Sequence, residues 1–527
     1  MKNLSKKKIT IILAIICAVQ LFVSLYWVGQ KNFLFFDEVF SFPAANGTLA
    51  MEFPENKWLD ESWYLDYMTV DETDCFEYSI PYQNQVNDVH PPLFYMFLHT
   101  ACSFIPGEFS FYAGTAFNVV FFLICAVALY FLGKELFGNK VCGVLAAFLY
   151  AVSYGGINTM VYIRMYMLLT LMIVLHAFVY LKYFDKEEIP AKGYVLFALT
   201  LLGGVLSQYY FLFAAFFFGV WYTIKFFAEK RYKVLGYYLT TIFATAACSL
   251  VIWPSMLRHL FGGGRGEEAR GNLLSMEGYF SSVKEMFRIL NNEMFTKMLP
   301  VILVALLVLL AICLKIGKEI DWNILKRATV IIFVCTGYLL LVAKVAPYMV
   351  DRYIMPLYPL VYMLVIGACY LLASKIIPKK LVGVLCTLGF LGLTVIHMLV
   401  SGIPYTYQKH PDNLERQAIV AEYKDNYALY ISDNDGEHFY DAVQMLKEYQ
   451  GFYYVYDLEN IETVKKDMEV LSEEQKLLVY VKNKRTIEDA NLFIQEVFTG
   501  CELNEHTLID SDEKWNVYLL DINGVVE

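Results

Sequence analysis

The chain is short of charge. Only 18% of its 527 residues are Asp, Glu, Lys or Arg, against 58% hydrophobic and 17% aromatic, whereas ordinary globular chains carry roughly 25% charged residues. That balance excludes an ordinary soluble domain. A cysteine framework is also missing. Of the 11 cysteines, most (Cys17, Cys125, Cys142, Cys248, Cys313, Cys335, Cys369 and Cys386) fall within apolar stretches, where a thiol behaves as a small hydrophobe. Cys75, Cys102 and Cys501 lie outside them; free thiols are the expectation and a Cys75–Cys102 bridge the alternative. No internal repeat of the kind common in transporters is visible. The net charge of −10 excludes nucleic acid as a partner.

What is present is a series of long apolar runs. Backbone amides in hydrocarbon must be satisfied internally, so a stretch of ~17–25 apolar residues reads as a membrane-crossing helix. The runs at 9–28, 111–133, 141–157, 165–181, 194–207, 209–227, 234–253, 298–314, 328–346, 354–373 and 381–400 predict about eleven spans. The 194–207 and 209–227 runs abut at Gln208, leaving open a tight hairpin or one kinked helix. Lysine and arginine fill every second loop, as the retention of basic residues on the cytoplasmic side requires. The alternation closes only if residues 91–105, opened by Pro91-Pro92, lie along the membrane surface as a juxtamembrane helix. The N-terminus is then cytoplasmic and the C-terminus extracytoplasmic. A cleaved signal peptide is the other reading of the first run; its length, and the Phe33-Leu34-Phe35-Phe36 that follows, favour a retained span.

After residue 400 the sequence becomes charged and alternating. Residues 427–432, 452–457 and 476–481 predict strands, 437–449, 459–470 and 487–497 helices, and 507–509 with 515–521 closing strands. The expected organisation is a transmembrane domain over 1–400, with a first outer loop at 30–110 and a second at 254–297, followed by a soluble α/β domain over 401–527. This last part carries no Gly-rich phosphate loop and no metal-ligand spacing, so acceptor docking and a packing role both stay open for it.

The topology gathers the unusual polar residues on the outer side: Asp37 and Glu38, Asp88 and His90, Arg164, Tyr209 and Tyr210, and Arg352. Each has a plainer role. Arg164 and Arg352 can snorkel to headgroups, although both oppose the basic-inside bias and a planar guanidinium suits a phosphate. Asp37, Glu38 and Asp88 can cap helices, His90 can sit at the interface satisfied by backbone, and the tyrosines can belong to an aromatic belt. Gly262-Gly263-Gly264-Arg265-Gly266 in the second loop suits either a mobile lid or an ordinary connection.

Leu34-Phe35-Phe36-Asp37-Glu38, Asp88-Val89-His90-Pro91-Pro92-Leu93-Phe94-Tyr95 and Tyr162-Ile163-Arg164-Met165-Tyr166 together resemble the pattern of the GT-C superfamily of membrane glycosyltransferases, among the bacterial relatives of the protein O-mannosyltransferases and the aminoarabinose transferase. The resemblance covers roughly residues 2–400. It implies a polytopic α-helical fold with outer juxtamembrane helices. The implied activity takes a sugar from a polyprenyl-phosphate carrier in the cell membrane and gives it to an envelope acceptor at the outer face. It carries Asp37 and Glu38 over as the acidic pair containing the catalytic base, His90 as a residue near the donor phosphate, and Arg164 as a phosphate-binding cation. Tyr162 stands where many bacterial relatives have Glu, and Leu168, Leu169 and Thr170 stand where the mannosyltransferases have Asp. No cofactor is required by the pattern, and a divalent metal stays open.

The residue types suit that chemistry on their own terms. Displacing a lipid phosphate from an anomeric carbon needs a base for the acceptor hydroxyl and cations for the departing charge. Adjacent carboxylates do not normally both point at one hydroxyl, so Asp37 is the expected base and Glu38 a positioning or helix-fixing residue. A single in-line displacement would invert the anomeric centre. A lipid or sugar transporter without chemistry, and a surface scaffold, are the competing classes; both should tolerate Asp37→Asn and Glu38→Gln.

Overall fold

The structure is a computed structural model. It describes residues 5–48, 56–432, 439–456, 458, 461–471, 475–482, 487–511 and 514–522. Positions 437, 438, 457, 459 and 460, which fall in predicted helices and a predicted strand, lie outside the described residues. The chain divides into two compact units, one of residues 1–30, 81–98 and 111–403, the other of residues 31–80, 99–110 and 404–527.

The first unit is helical. Among the described residues, eight helices are long and apolar enough to cross a membrane: Lys6–Val28, Phe111–Phe137, Tyr166–Tyr183, Phe211–Ala228, Tyr232–Ile252, Trp322–Val345, Met355–Ala373 and Lys379–Ser401. Two further pairs pass the same test but are bent, Lys140–Ala151 with Tyr154–Val161 by 53° and Tyr279–Phe295 with Leu299–Lys315 by 79°. This is a multi-pass membrane protein. The run expected at 141–157 as one straight span is thus broken. Ser153 takes an extended backbone and its side chain accepts from the Gly156 amide, at 3.1 Å, starting a new helix where the first one ends. At Gln208 the open choice resolves into two helices, Ala191–Ser207 and Phe211–Ala228, separated by an extended Gln208 (φ −166°). Leu93–Cys102 has 10 residues and, at about 1.5 Å per residue, is too short to cross a bilayer.

Small residues set the closest approaches between helices, as is usual where lipid supplies no hydrophobic drive. A Cβ on Gly133 would stand 3.1 Å from the Gly143 Cα, so the Phe111–Phe137 and Lys140–Ala151 helices pack backbone to backbone there. A Cβ on Gly143 would collide with the Tyr130 carbonyl oxygen.

The second unit is built on a six-stranded sheet in the order β1-β3-β2-β4-β6-β5, comprising β1 (Lys57–Leu59), β2 (Tyr427–Ile431), β3 (Gly451–Val455), β4 (Gln475–Lys482), β5 (Leu508–Ser511) and β6 (Trp515–Ile522). β2 pairs in parallel with β3 and β4. Those strands read as continuous apolar runs because helices cover parallel sheets, with Leu429, Ile431, Tyr453, Val455, Val479 and Val481 buried in one core. The crossovers carry the helices Phe439–Leu446 and Ile461–Met468. β4, β6 and β5 are antiparallel. Unexpected from sequence is β1, which joins antiparallel to β3 from a position some 400 residues earlier.

Candidate functional site

Within the second unit, Asp37 and Glu38 lie on the short helix Phe36–Val39 and have different surroundings. The Glu38 side chain is closed off from solvent. Its Oε2 accepts from Lys31 Nζ at 2.9 Å and from the Phe35 amide at 2.7 Å, so the carboxylate closes the turn that starts its own helix. Lys31 also donates to the Tyr405 carbonyl. Burial holds the Lys31 ammonium below its ordinary range, and the Glu38 charge and hydrogen bond oppose that fall. Asp37, one residue earlier, is half-buried.

The loop before this helix is fixed from the far end of the chain. Gln444, on the Phe439–Leu446 helix, accepts from the Leu34 amide at 2.8 Å and donates to the Leu34 carbonyl at 3.1 Å. The ring of Tyr440 on the same helix packs against Phe40 at 4.4 Å and Phe36 at 6.2 Å. A two-point amide contact of this kind sets both position and register of the peptide it holds.

Within the first unit, Asp88 and His90 form a pair, with Asp88 Oδ2 2.7 Å from His90 Nδ1. Gln85, with its amide nitrogen turned toward them, donates to Asp88 Oδ2 at 3.1 Å and to the His90 carbonyl at 3.2 Å. Burial works against the Asp88 charge, but the His90 charge and hydrogen bond, with Arg164 behind them, outweigh it and hold the carboxyl at about 2. Arg164 is 7% exposed, in the link between the Tyr154–Val161 and Tyr166–Tyr183 helices. That link is tied by Asn118, which donates to the Tyr162 carbonyl at 2.7 Å, and by stacked Tyr162 and Tyr166 rings 5.7 Å apart. Arg352 lies over the Tyr353 ring at 5.3 Å, and the Tyr353 ring in turn packs on Tyr210 at 5.1 Å.

Tyr209 leads to a residue that sequence reasoning missed. Its hydroxyl accepts from Trp253 Nε1 at 2.8 Å and meets His259 Nδ1 at 2.9 Å, while His259 Nε2 lies 3.4 Å from the Val86 carbonyl. Burial pushes the His259 imidazole down and the Tyr209 phenol up. His259 thus ties the 254–297 segment to the stretch leading into Asp88. The only sequence signal was its place three residues before the glycine run. A cavity of about 310 Å³ lies beside it, lined by Asp88, Arg258, His259 and the glycines Gly262, Gly263 and Gly264. The Arg265 side chain lies outside the described residues. Cys75 and Cys102 are free thiols. Among the described residues no three His, Cys, Asp or Glu side chains cluster as a metal would need.

The fold has similar counterparts among solved structures. ArnT from Cupriavidus metallidurans in the apo state matches with a TM-score of 0.50 at 12% identity, over 96% of this chain and 97% of that one. The same protein bound to undecaprenyl phosphate gives 0.49 at 10% identity, with the same coverage. The Archaeoglobus fulgidus oligosaccharyltransferase in complex with zinc and sulfate gives 0.44 at 12%, over 89% of this chain and 68% of that one. No protein-family model and no curated protein matches the sequence.

Proposed function

We propose that the protein transfers a sugar from a polyprenyl-phosphate carrier to an envelope acceptor at the outer face of the membrane. Asp37 takes the proton from the acceptor hydroxyl. The freed oxygen attacks the anomeric carbon, the bond from that carbon to the phosphate oxygen breaks, and the lipid phosphate leaves with the electron pair. Arg164, Arg352 and His90 stabilise the charge that develops on it. One displacement of this kind inverts the anomeric centre. Tyr209 and Tyr210 complete the donor side, and Asp88 holds the His90 ring.

The observation that carries the reading is the burial of Arg164 beside the Asp88–His90 pair, in a helical unit of membrane-spanning length. A guanidinium held there beside a carboxylate and an imidazole presents the planar fork of donors that suits a phosphate. Two further observations support it: the fold shared with ArnT, which has been crystallised with undecaprenyl phosphate, and the inequality of Asp37 and Glu38. Glu38 is closed to solvent against Lys31, whereas Asp37 is half-buried, so by exposure Asp37 is the carboxylate suited to a substrate proton.

The test is transfer of radiolabelled sugar from a panel of polyprenyl-phosphate sugars to total envelope extract, by the purified protein beside Asp37→Asn and Arg164→Ala. Incorporation by the wild type that both variants lose supports the assignment. Folded wild type that transfers from no donor overturns it, and a product of retained configuration overturns the single displacement.

A further inference from the structure

The second unit contains a cavity of about 380 Å³ that the reaction above does not use. Its walls include Asn32 and Phe33 from the loop before Asp37, Gln417 and Lys424 in and just after the helix Pro411–Tyr423, and Gln444 with Glu448 from the stretch containing Phe439–Leu446. The volume falls in the range of small-ligand pockets, roughly 300–1,000 Å³.

The lining has a definite chemistry. Three carboxamides meet there, and a carboxamide offers two donors and two acceptor lone pairs. Gln444 spends one donor and one acceptor on Leu34. Asn32 donates to Gln417 Oε1 at 3.4 Å and accepts from Asn413 at 3.2 Å, so each of the three amides retains capacity for a further partner. Phe33 adds an aromatic ring, itself braced edge-on by Tyr407 at 5.6 Å. Lys424 and Glu448, both exposed, stand at the rim with opposite charges. Groups that donate and accept in equal measure, around an aromatic ring and the apolar Val420, Ala421 and Met445, match a sugar ring, with its hydroxyls and its C–H face, better than they match an anion or a cation.

We propose that this cavity is a binding subsite for a carbohydrate portion of the acceptor. The proposal rests on the transferase reading and deepens it. Gln444 links the subsite to the chemistry, because the amide that lines the cavity also holds the Leu34 peptide three residues before Asp37. An acceptor sugar seated there bears on the residue that fixes the base-carrying loop. The α/β unit then has a direct part in the reaction: it receives the acceptor on the wall that positions Asp37.

Two measurements on the full-length protein in detergent test this. In the first, saturation-transfer NMR with cellobiose, lactose and N,N′-diacetylchitobiose reads binding without any turnover. Saturation of at least one disaccharide that disappears in the Gln417→Ala/Lys424→Ala double variant, with the thermal unfolding midpoint unchanged, supports the subsite. No saturation with any of the three, or saturation that survives in the double variant, overturns it. In the second, the same variant in the transfer assay should raise the acceptor KM about tenfold, the effect of a lost hydrogen bond or two, with the donor KM within about twofold. An unchanged acceptor KM overturns the proposal. Absence of transfer in the wild type would count against the transferase reading, and the NMR result then decides the subsite by itself.

Discussion

Lys31 Nζ stands 2.9 Å from Glu38 Oε2, and both side chains are fully closed to solvent. The pair engages Glu38 in a buried ion pair; in the proposed reaction the base is its neighbour Asp37. Removing one partner of a buried ion pair leaves the other charge uncompensated, at a cost of about 3–5 kcal/mol. Glu38→Gln should therefore lower the thermal unfolding midpoint sharply, and Lys31→Met combined with Glu38→Leu should recover only part of the loss, because the Phe35 amide and the Tyr405 carbonyl lose their partners. Asp37→Asn should abolish transfer and shift the midpoint less than Glu38→Gln does. A Glu38→Gln protein as stable as wild type would contradict the division of roles.

The Asp88–His90 pair predicts a pH dependence of definite sign. The Asp88 carboxyl sits at about 2 in the folded protein, below the unfolded value of about 3.9. A depressed folded pKa contributes stability that is fully present above the unfolded value and is lost as pH falls through the folded one. Wild type and Asp88→Asn should differ in unfolding midpoint at pH 6 and converge between about pH 4 and pH 2. A difference that is constant across that window would show that the carboxylate charge is not what the pair contributes.

Tyr209→Phe removes one hydroxyl and strands two groups, Trp253 Nε1 and His259 Nδ1. Buried groups left without partners cost about 1–3 kcal/mol each. Because His259 carries the start of the 254–297 segment, the loss should appear locally, as faster proteolytic cleavage within that segment. Equal cleavage rates in wild type and variant would mean the segment is held by other contacts.

Gln444→Ala should free both polar groups of the Leu34 peptide. Hydrogen exchange at the Leu34 amide should speed up, while exchange in β2 and β4 stays slow because the sheet core does not depend on this side chain. Unaltered exchange at Leu34 would remove the link between the α/β unit and the Asp37 loop.

Packing supplies a check on the membrane unit. Gly143→Ala drives a methyl group into the Tyr130 carbonyl. Backbone on both sides leaves little room to yield, so the variant should lose about 1–3 kcal/mol in a reversible unfolding measurement. Gly236→Ala, with nothing within 4 Å of the added carbon, should not.

Much of the architecture is legible in the residue order. Apolar run length marks the spans because a helix in lipid satisfies its own amides and needs no distant partner. The strands of the α/β unit follow from alternation and from short apolar runs: predicted 427–432, 476–481 and 515–521 correspond to Tyr427–Ile431, Gln475–Lys482 and Trp515–Ile522. The bends at Val152 and between Phe295 and Leu299 were not legible, because an apolar sequence reads the same whether its helix is straight or broken.

By itself, then, the sequence determined what depends on neighbours a few residues away: the membrane class, most helices and strands, and the residue types available for chemistry. Tertiary structure alone decided that Glu38 is buried against Lys31, that His259 fastens the glycine-rich segment, that residues 57–59 complete a sheet begun 370 residues later, and that Gln444 holds Leu34. Those outcomes depend on partners as far as 410 positions apart. Hydrogen bonds and ion pairs act over a few ångströms of space, and no local periodicity records which distant residues the fold brings within that reach.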